Sequence, residues 1–317
     1  MELTTLDCPK CGGLLPKQAR WRMITCPYCG RTVTLCDEAV QTAEFRQAWL
    51  RARARENSSL PKAVISGRTY AIIARIGGGD FSEVFLAERT GILPERVVIK
   101  LKNKTAPDGI LLKEYGILRD LQSINGEGSA YFSQRLPIPA AQGLDEISGR
   151  EALVLREPVG FWGSLDDVRA NYPGGITARH AVWMWRRILE VLGFVHENGW
   201  THGDIRTEHL LVHPGNHGIL IIGWSSAEII SKNSAKADDL MQSAWAVREM
   251  LSGGGDGEPG FGRETPDIII EVLKRASEDA GWCVSNGAHG IDEKIRTAAL
   301  EAYGPPAFIP FSPDNSI

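Results

Sequence analysis

Thr201–Val212 reads THGDIRTEHLLV, and the residues on either side of it decide how the chain folds. Ahead of it, Thr177–Asn198 places Trp185, Ile188, Leu189, Leu192 and Val195 on one stripe at helical spacing, so a long amphipathic helix is expected to lead into the stretch. Behind it, Leu210–Val212 and Ile219–Ile222 read as paired apolar strands around Pro214 and Gly215. His209, His213 and His217 recur every fourth residue, which on a helix would make a metal-binding face. Pro214 and Gly215 interrupt any helix there, so no shared metal is expected. His196, at the end of the long helix, is expected to pack and to hydrogen-bond.

Working toward the N-terminus, Ile72–Glu88 (IIARIGGGDFSEVFLAE) reads as strand, glycine turn, strand. Gly77 and Gly79 would let the backbone approach phosphates closely. Val97–Lys100 is an apolar strand ending in a lysine, and Ile110–Leu121 is a helical stretch containing Glu114. A strand lysine beside a helix glutamate can form an ion pair that aims the lysine at phosphates. Toward the C-terminus comes Gly218–Ala227, GILIIGWSSA, and then Asp238-Asp239 at the start of an apolar helix that reaches Leu251.

In this order the set resembles the protein-kinase superfamily, from about Val64 to Leu251. The family's H-R-D-x-x-x-x-N loop lines up with His202 through His209. The resemblance implies that ATP is the nucleotide and that Val84 caps its adenine. It implies that Gly77 and Gly79 cover the phosphates, that Lys100 holds them, and that Glu114 holds Lys100. Asp204 would accept the substrate's hydroxyl proton, Arg206 would touch the transferred phosphate, and Asp239 would tie down the loop from below. The departures are specific. Ser82 stands at the third glycine, and Gly203 at the arginine that precedes the catalytic Asp. His209 replaces the metal-binding Asn and Gly223 the metal-binding Asp, which leaves Mg²⁺ without its two protein oxygens. If Leu153–Leu155 is the hinge strand, Pro158 lies where a backbone N–H usually meets adenine. Only thirteen residues separate Ser225 from Asp239, too few for a peptide-docking activation segment.

A second module precedes this one. Cys8-Pro-Lys-Cys11 and Cys26-Pro-Tyr-Cys29 are two C-x-x-C pairs with fourteen residues between them. Four thiolates at this spacing suit tetrahedral Zn²⁺, and the segment resembles a zinc ribbon of the rubredoxin-knuckle type. Such a module is too small for a core, so bound metal would supply its folding energy. Lys10, Lys17, Arg20, Arg22 and Arg31 make it mildly basic. Cys36 and Cys283 are expected to be inert thiols.

Residues 37–56 lack Pro and Gly and read as a helix, capped by Asp37, with Phe45, Trp49 and Ala52 on one face and Arg51, Arg53 and Arg55 near its end. The expected organisation is α+β: a zinc ribbon at 1–36, a connecting helix and linker at 37–62, and a bilobal kinase-like domain. Its smaller lobe would span 63–158 and its larger lobe, with a C-terminal tail, 159–317. Phe308 and Phe311 are expected to clamp that tail.

Net charge is −4 over 317 residues, so no global field recruits nucleic acid or anionic membrane. The opening MELTTLDCPKC lacks a signal-peptide pattern, and the apolar runs are strand-length, so no membrane association and a cytoplasmic location are expected. Three functional readings follow. The first is a pseudokinase acting as regulator or scaffold, with ATP bound, structural zinc, little use of Mg²⁺, and a protein partner docked through the ribbon. The second is an active atypical Ser/Thr-kinase-like phosphotransferase that uses Asp204 and Lys100 with unusual metal binding, Glu208 or Glu228 supplying oxygen ligands. The third is a nucleic-acid binder working through the ribbon.

Overall fold

The computed structural model describes residues 23–25, 32–34, 60–91, 94–126, 128–253, 259–262 and 264–315. The chain divides into two compact units, residues 1–59 and 60–317. In the first, β1 (Met23–Thr25) and β2 (Thr32–Thr34) pair antiparallel, Ile24 opposite Val33. The cysteines of both C-x-x-C pairs, and the helix expected over 37–56, lie outside the described residues.

The second unit is α+β. Its first half is an antiparallel sheet of six strands: β3 (Lys62–Ile65), β4 (Arg68–Gly78), β5 (Ser82–Arg89), β6 (Glu95–Lys102), β7 (Pro139–Leu144) and β8 (Glu151–Arg156). Their spatial order is β3-β4-β5-β6-β8-β7. The sheet curls until its edges meet, with Ile65 bridging to Asp145 and the Asp145 carboxylate accepting the Val64 amide at 2.8 Å. β-branched and aromatic residues suit such a half-buried pleat, and Ile65, Tyr70, Val97, Ile99 and Val154 form its core. Between β6 and β7 run α1 (Ile110–Ser123) and the short α2 (Ser129–Phe132). α1 packs across the sheet.

The second half is mainly helical. A two-residue strand β9 (Gly163–Ser164) leads into α3 (Leu165–Asn171), which a Ser164/Asp167 capping box starts. α4 (Ala178–Glu197) is the central helix, and the whole predicted stripe from Trp185 to Val195 is buried. Each such side chain contributes roughly 1.5–3 kcal/mol on leaving water. Then come β10 (Trp200–Thr201), β11 (Leu210–His213), β12 (Gly218–Ile221) and β13 (Glu228–Ile229). β11 pairs antiparallel with β12 and with β9, and β10 pairs with β13.

The remaining helices are α5 (Asn233–Ser252), α6 (Asp267–Glu278) and α7 (Ala280–Tyr303). The sequence pattern predicts the last helix only over 292–302. Gly281, Gly287 and Gly290 hide its first half, and Gly287 does kink it. Burial of Cys283, Ala288 and Ile291 against the core, with Asp279 capping the Trp282 amide, holds this half helical against its low propensity.

Residues after α7 return across the surface of the second half. Phe311 is buried among Tyr172, His180 and Trp183, and the Tyr172 hydroxyl donates to the Ser312 carbonyl. Phe308 is mostly exposed, yet its ring stacks on His217, which stacks in turn on Trp183.

Candidate functional site

Three neighbouring strands set out one row of side chains. Val84 on β5 lies opposite Lys100 on β6, and Lys100 lies opposite Leu153 on β8, so all three project from the same face of the sheet. Glu114 reaches this row from α1. It sits within that helix's buried face of Leu111, Ile117, Leu118 and Leu121, where an unpaired carboxylate would be strongly disfavoured. Its partner is Lys100, whose Nζ lies 2.5 Å from Glu114 Oε2; the two side chains are 13% and 1% exposed. Removing one member of such a pair costs about 3–5 kcal/mol, because the other charge stays buried. The ammonium has three N–H groups and spends one on Glu114.

Long-range contacts hold this arrangement. α1 begins at Gly109, which has no side chain to cap it, and Glu151 of β8 does so instead, accepting the amides of Gly109 (2.9 Å) and Leu112 (2.7 Å). The glycine turn is pinned from outside. Asn103 Nδ2 donates to the carbonyls of Gly79 (2.7 Å) and Asp80 (3.2 Å), and the Asn103 amide donates to the Phe81 carbonyl. Gly77 lies opposite Val84 in the strand pair.

The polar loop after α4 and β10 is fastened by Asp239. This fully buried carboxylate accepts the His202 amide (2.8 Å), the Gly203 amide (2.7 Å) and His196 Nε2–H (2.8 Å). His202 is also buried: its Nε2–H donates to the Ile222 carbonyl and its Nδ1 accepts the Asp204 amide. Burial pushes the His202 imidazole down to about 4, so it is neutral near pH 7. Gln242 accepts the Ile205 amide. With its backbone held at 202, 203, 204 and 205, the loop presents the Asp204 carboxylate, 34% exposed, between Arg206 Nη2 at 3.2 Å and His209 Nδ1 at 3.4 Å.

His209 and Gly223 meet directly. Gly223 has φ +84°, and a Cβ built on it would lie 2.8 Å from Cδ2 and Nε2 of the His209 ring, closer than real Cβ atoms come to anything. The ring is held there by its Nδ1–H, which donates to the Asp204 carbonyl at 2.8 Å. The His209 carbonyl accepts the Ile222 amide, which fixes its backbone to the start of the Gly223 turn. These two positions therefore offer a cation one ring nitrogen and no carboxylate. Mg²⁺ requires about six oxygens in an octahedron, and this donor set does not fit it. Among the described residues no group of three or more His, Cys, Asp or Glu side chains is placed to hold a metal.

Gly203 has a comparable reason to be glycine. Its φ is +81°, and a Cβ there would lie 2.9 Å from the Ser226 carbonyl oxygen. An arginine at this position, as in the family pattern, has no room. The turn Trp224–Ser226 packs against α1, with the Trp224 ring fully buried, so the ends of the site are joined through this turn.

No family model matches the chain. It is 30% identical over 139 residues to the calcium/calmodulin-dependent protein kinase type 1 of Caenorhabditis elegans, a match covering 43% of this chain and 36% of that protein. The resemblance is to protein kinases. The enzyme of the same name from Caenorhabditis briggsae is 29% identical over 139 residues, 43% of this chain and 35% of its own. The chain thus spans about a third of the length of these kinase relatives, and the similarity is distant.

Set beside the kinase-like pattern, the geometry brings Lys100 to Glu114, Val84 into the Lys100 row, and Asp204 to Arg206 and His209. The strand Leu153–Leu155 lies within β8, and Pro158 follows it. His213 and His217 go elsewhere: His213 ends β11 beside Phe161, and His217 joins the tail stack. Asn103, Glu151 and Gln242 are structural supports of the site that no sequence motif marks. Each acts across 23 or more residues of chain, beyond the reach of local pattern. The Cys283 thiol is buried and pushed up to about 11, which makes it a poor nucleophile.

Proposed function

We propose that this protein is a kinase-like regulator or scaffold, a pseudokinase that holds the phosphates of ATP and transfers them poorly. The observation that carries this reading is the contrast between an intact Lys100–Glu114 pair and the carboxylate-free pairing of His209 with Gly223. Lys100 keeps donors for phosphate oxygens. In phosphoryl transfer, bound metal ions offset the charge that develops on the moving group. Their loss leaves a barrier higher by several kcal/mol, and about 4 kcal/mol slows turnover roughly a thousandfold. Under this reading Asp204 would keep its proton-accepting role, with Arg206 Nη2 3.2 Å away.

The Cys8, Cys11, Cys26 and Cys29 set is proposed to hold structural zinc and to dock a protein partner. Metal analysis of the purified chain against Cys8→Ser tests the zinc: one equivalent is expected in the first and less in the second.

For the central reading, ATP is expected to raise the thermal midpoint of the wild-type chain, and Lys100→Ala is expected to abolish that shift. Phosphate transfer to protein or small-molecule acceptors is expected at background level. Robust transfer lost on Asp204→Ala would overturn the reading. It would favour the active phosphotransferase, for which the partly exposed, cation-flanked Asp204 carboxylate is the supporting observation.

A further inference from the structure

We infer that the site takes the nucleotide's triphosphate without a divalent cation, because His209 fills the volume where a metal-binding side chain would stand. This rests on the proposal that ATP is the ligand and goes beyond it by naming the ionic form that binds.

The argument is steric first. A side chain at 223 and the imidazole of 209 cannot share the same space, since the Cβ alone would lie 2.8–2.9 Å from three ring atoms. The ring cannot easily vacate it. Its Nδ1–H is committed to the Asp204 carbonyl, its own carbonyl receives the Ile222 amide, its amide donates to the Arg206 carbonyl, and only 18% of its side chain is exposed. Position 223 is thus kept empty of any donor, and the imidazole is the fixture that keeps it so.

The second part is electrostatic. A carboxylate facing a triphosphate sets two anions against each other, and a bridging cation is what makes that arrangement favourable. Here the carboxylate is missing, so the repulsion that a metal would relieve is missing too. The two carboxylates that remain already face cations: Glu114 faces Lys100 at 2.5 Å, and Asp204 faces Arg206 at 3.2 Å. Lys100 and the half-exposed Arg206 guanidinium retain unspent N–H groups for phosphate oxygens. A metal-complexed triphosphate brings a cation for which positions 209 and 223 offer no side-chain oxygen, and it hides the oxygens those donors would use.

The test is equilibrium binding of ATP to the 317-residue chain in magnesium-free buffer and again with excess Mg²⁺. The buffer contains no chelator, so that any zinc on the cysteines is retained. Binding that is equal or tighter without Mg²⁺ is expected. Affinity that rises about tenfold or more on adding Mg²⁺ overturns the inference and leaves ATP as the ligand. No binding under either condition overturns ATP as the ligand as well. A double variant, His209→Asn with Gly223→Asp, restores two oxygen donors at positions that no longer collide, and Asp is among the residues that tolerate a left-handed backbone. Its ATP affinity is expected to become dependent on Mg²⁺. If that variant binds no nucleotide or fails to fold, the wild-type comparison alone decides.

Discussion

The Glu151 carboxylate lies 2.7 Å from the Leu112 amide and closes the open first turn of α1, the helix that carries Glu114. A residue on the sheet thereby fixes the angle at which the helix presents its glutamate to Lys100. Glu151→Ala leaves the amides of Gly109 and Leu112 without their acceptor in a part-buried setting. A loss of about 2 kcal/mol is expected, read as a lower urea midpoint. ATP binding should weaken with it, and Glu151→Asp should recover only part of either.

Gly203 is the second position where a small change is expected to matter. Gly203→Ala places a methyl 2.9 Å from the Ser226 carbonyl in a left-handed backbone. Roughly 2 kcal/mol or more of destabilisation is expected from the conformation and the contact together. Gly199 has a similar φ but nothing near its Cβ, so Gly199→Ala is the control that bears the conformational part alone.

How much of this was legible in the chain depends on the range of the interaction. The α4 stripe, the Val97–Lys100 strand and the break at Pro214-Gly215 are local patterns, and each marks its element within a few residues. The Lys100–Glu114 pairing came from the order of motifs and not from any one of them. The fit of His209 over Gly223 was visible only as two separate departures, because a contact between residues 14 positions apart on either side of a strand pair has no local signature. The helix cap by Glu151 and the pinning of the glycine turn by Asn103 have no local trace for the same reason. The first half of α7 has no helical signal in the sequence, because its glycines speak against a helix that tertiary burial supports.

Acid is expected to unfold the second unit early. His202, His180 and His217 all have pKa values lowered chiefly by burial, His202 from 6.5 to about 4. The folded state refuses protons that the unfolded chain accepts. Stability is therefore complete above 6.5 and falls as pH drops toward 4. His202 alone accounts for roughly 3 kcal/mol over that window. Thermal midpoints measured across this range should decline, and His202→Gln, although less stable near neutrality, should show a shallower slope.

The two tail phenylalanines are expected to behave differently. Phe311→Ala empties a buried site against Tyr172, His180 and Trp183, at a cost of roughly 3 kcal/mol, and frees residues 304–315 to exchange amide hydrogens rapidly. Phe308→Ala removes only an exposed ring over His217 and should leave that protection largely intact.

The turn after Gly223 is short, paired and crowded. β13 is zipped to β10, Ser226 sits against Gly203, and α5 starts at Asn233. The turn and the loop that carries Asp204 are thereby joined through backbone at two places. A substitution that displaces the turn is expected to displace Asp204 with it.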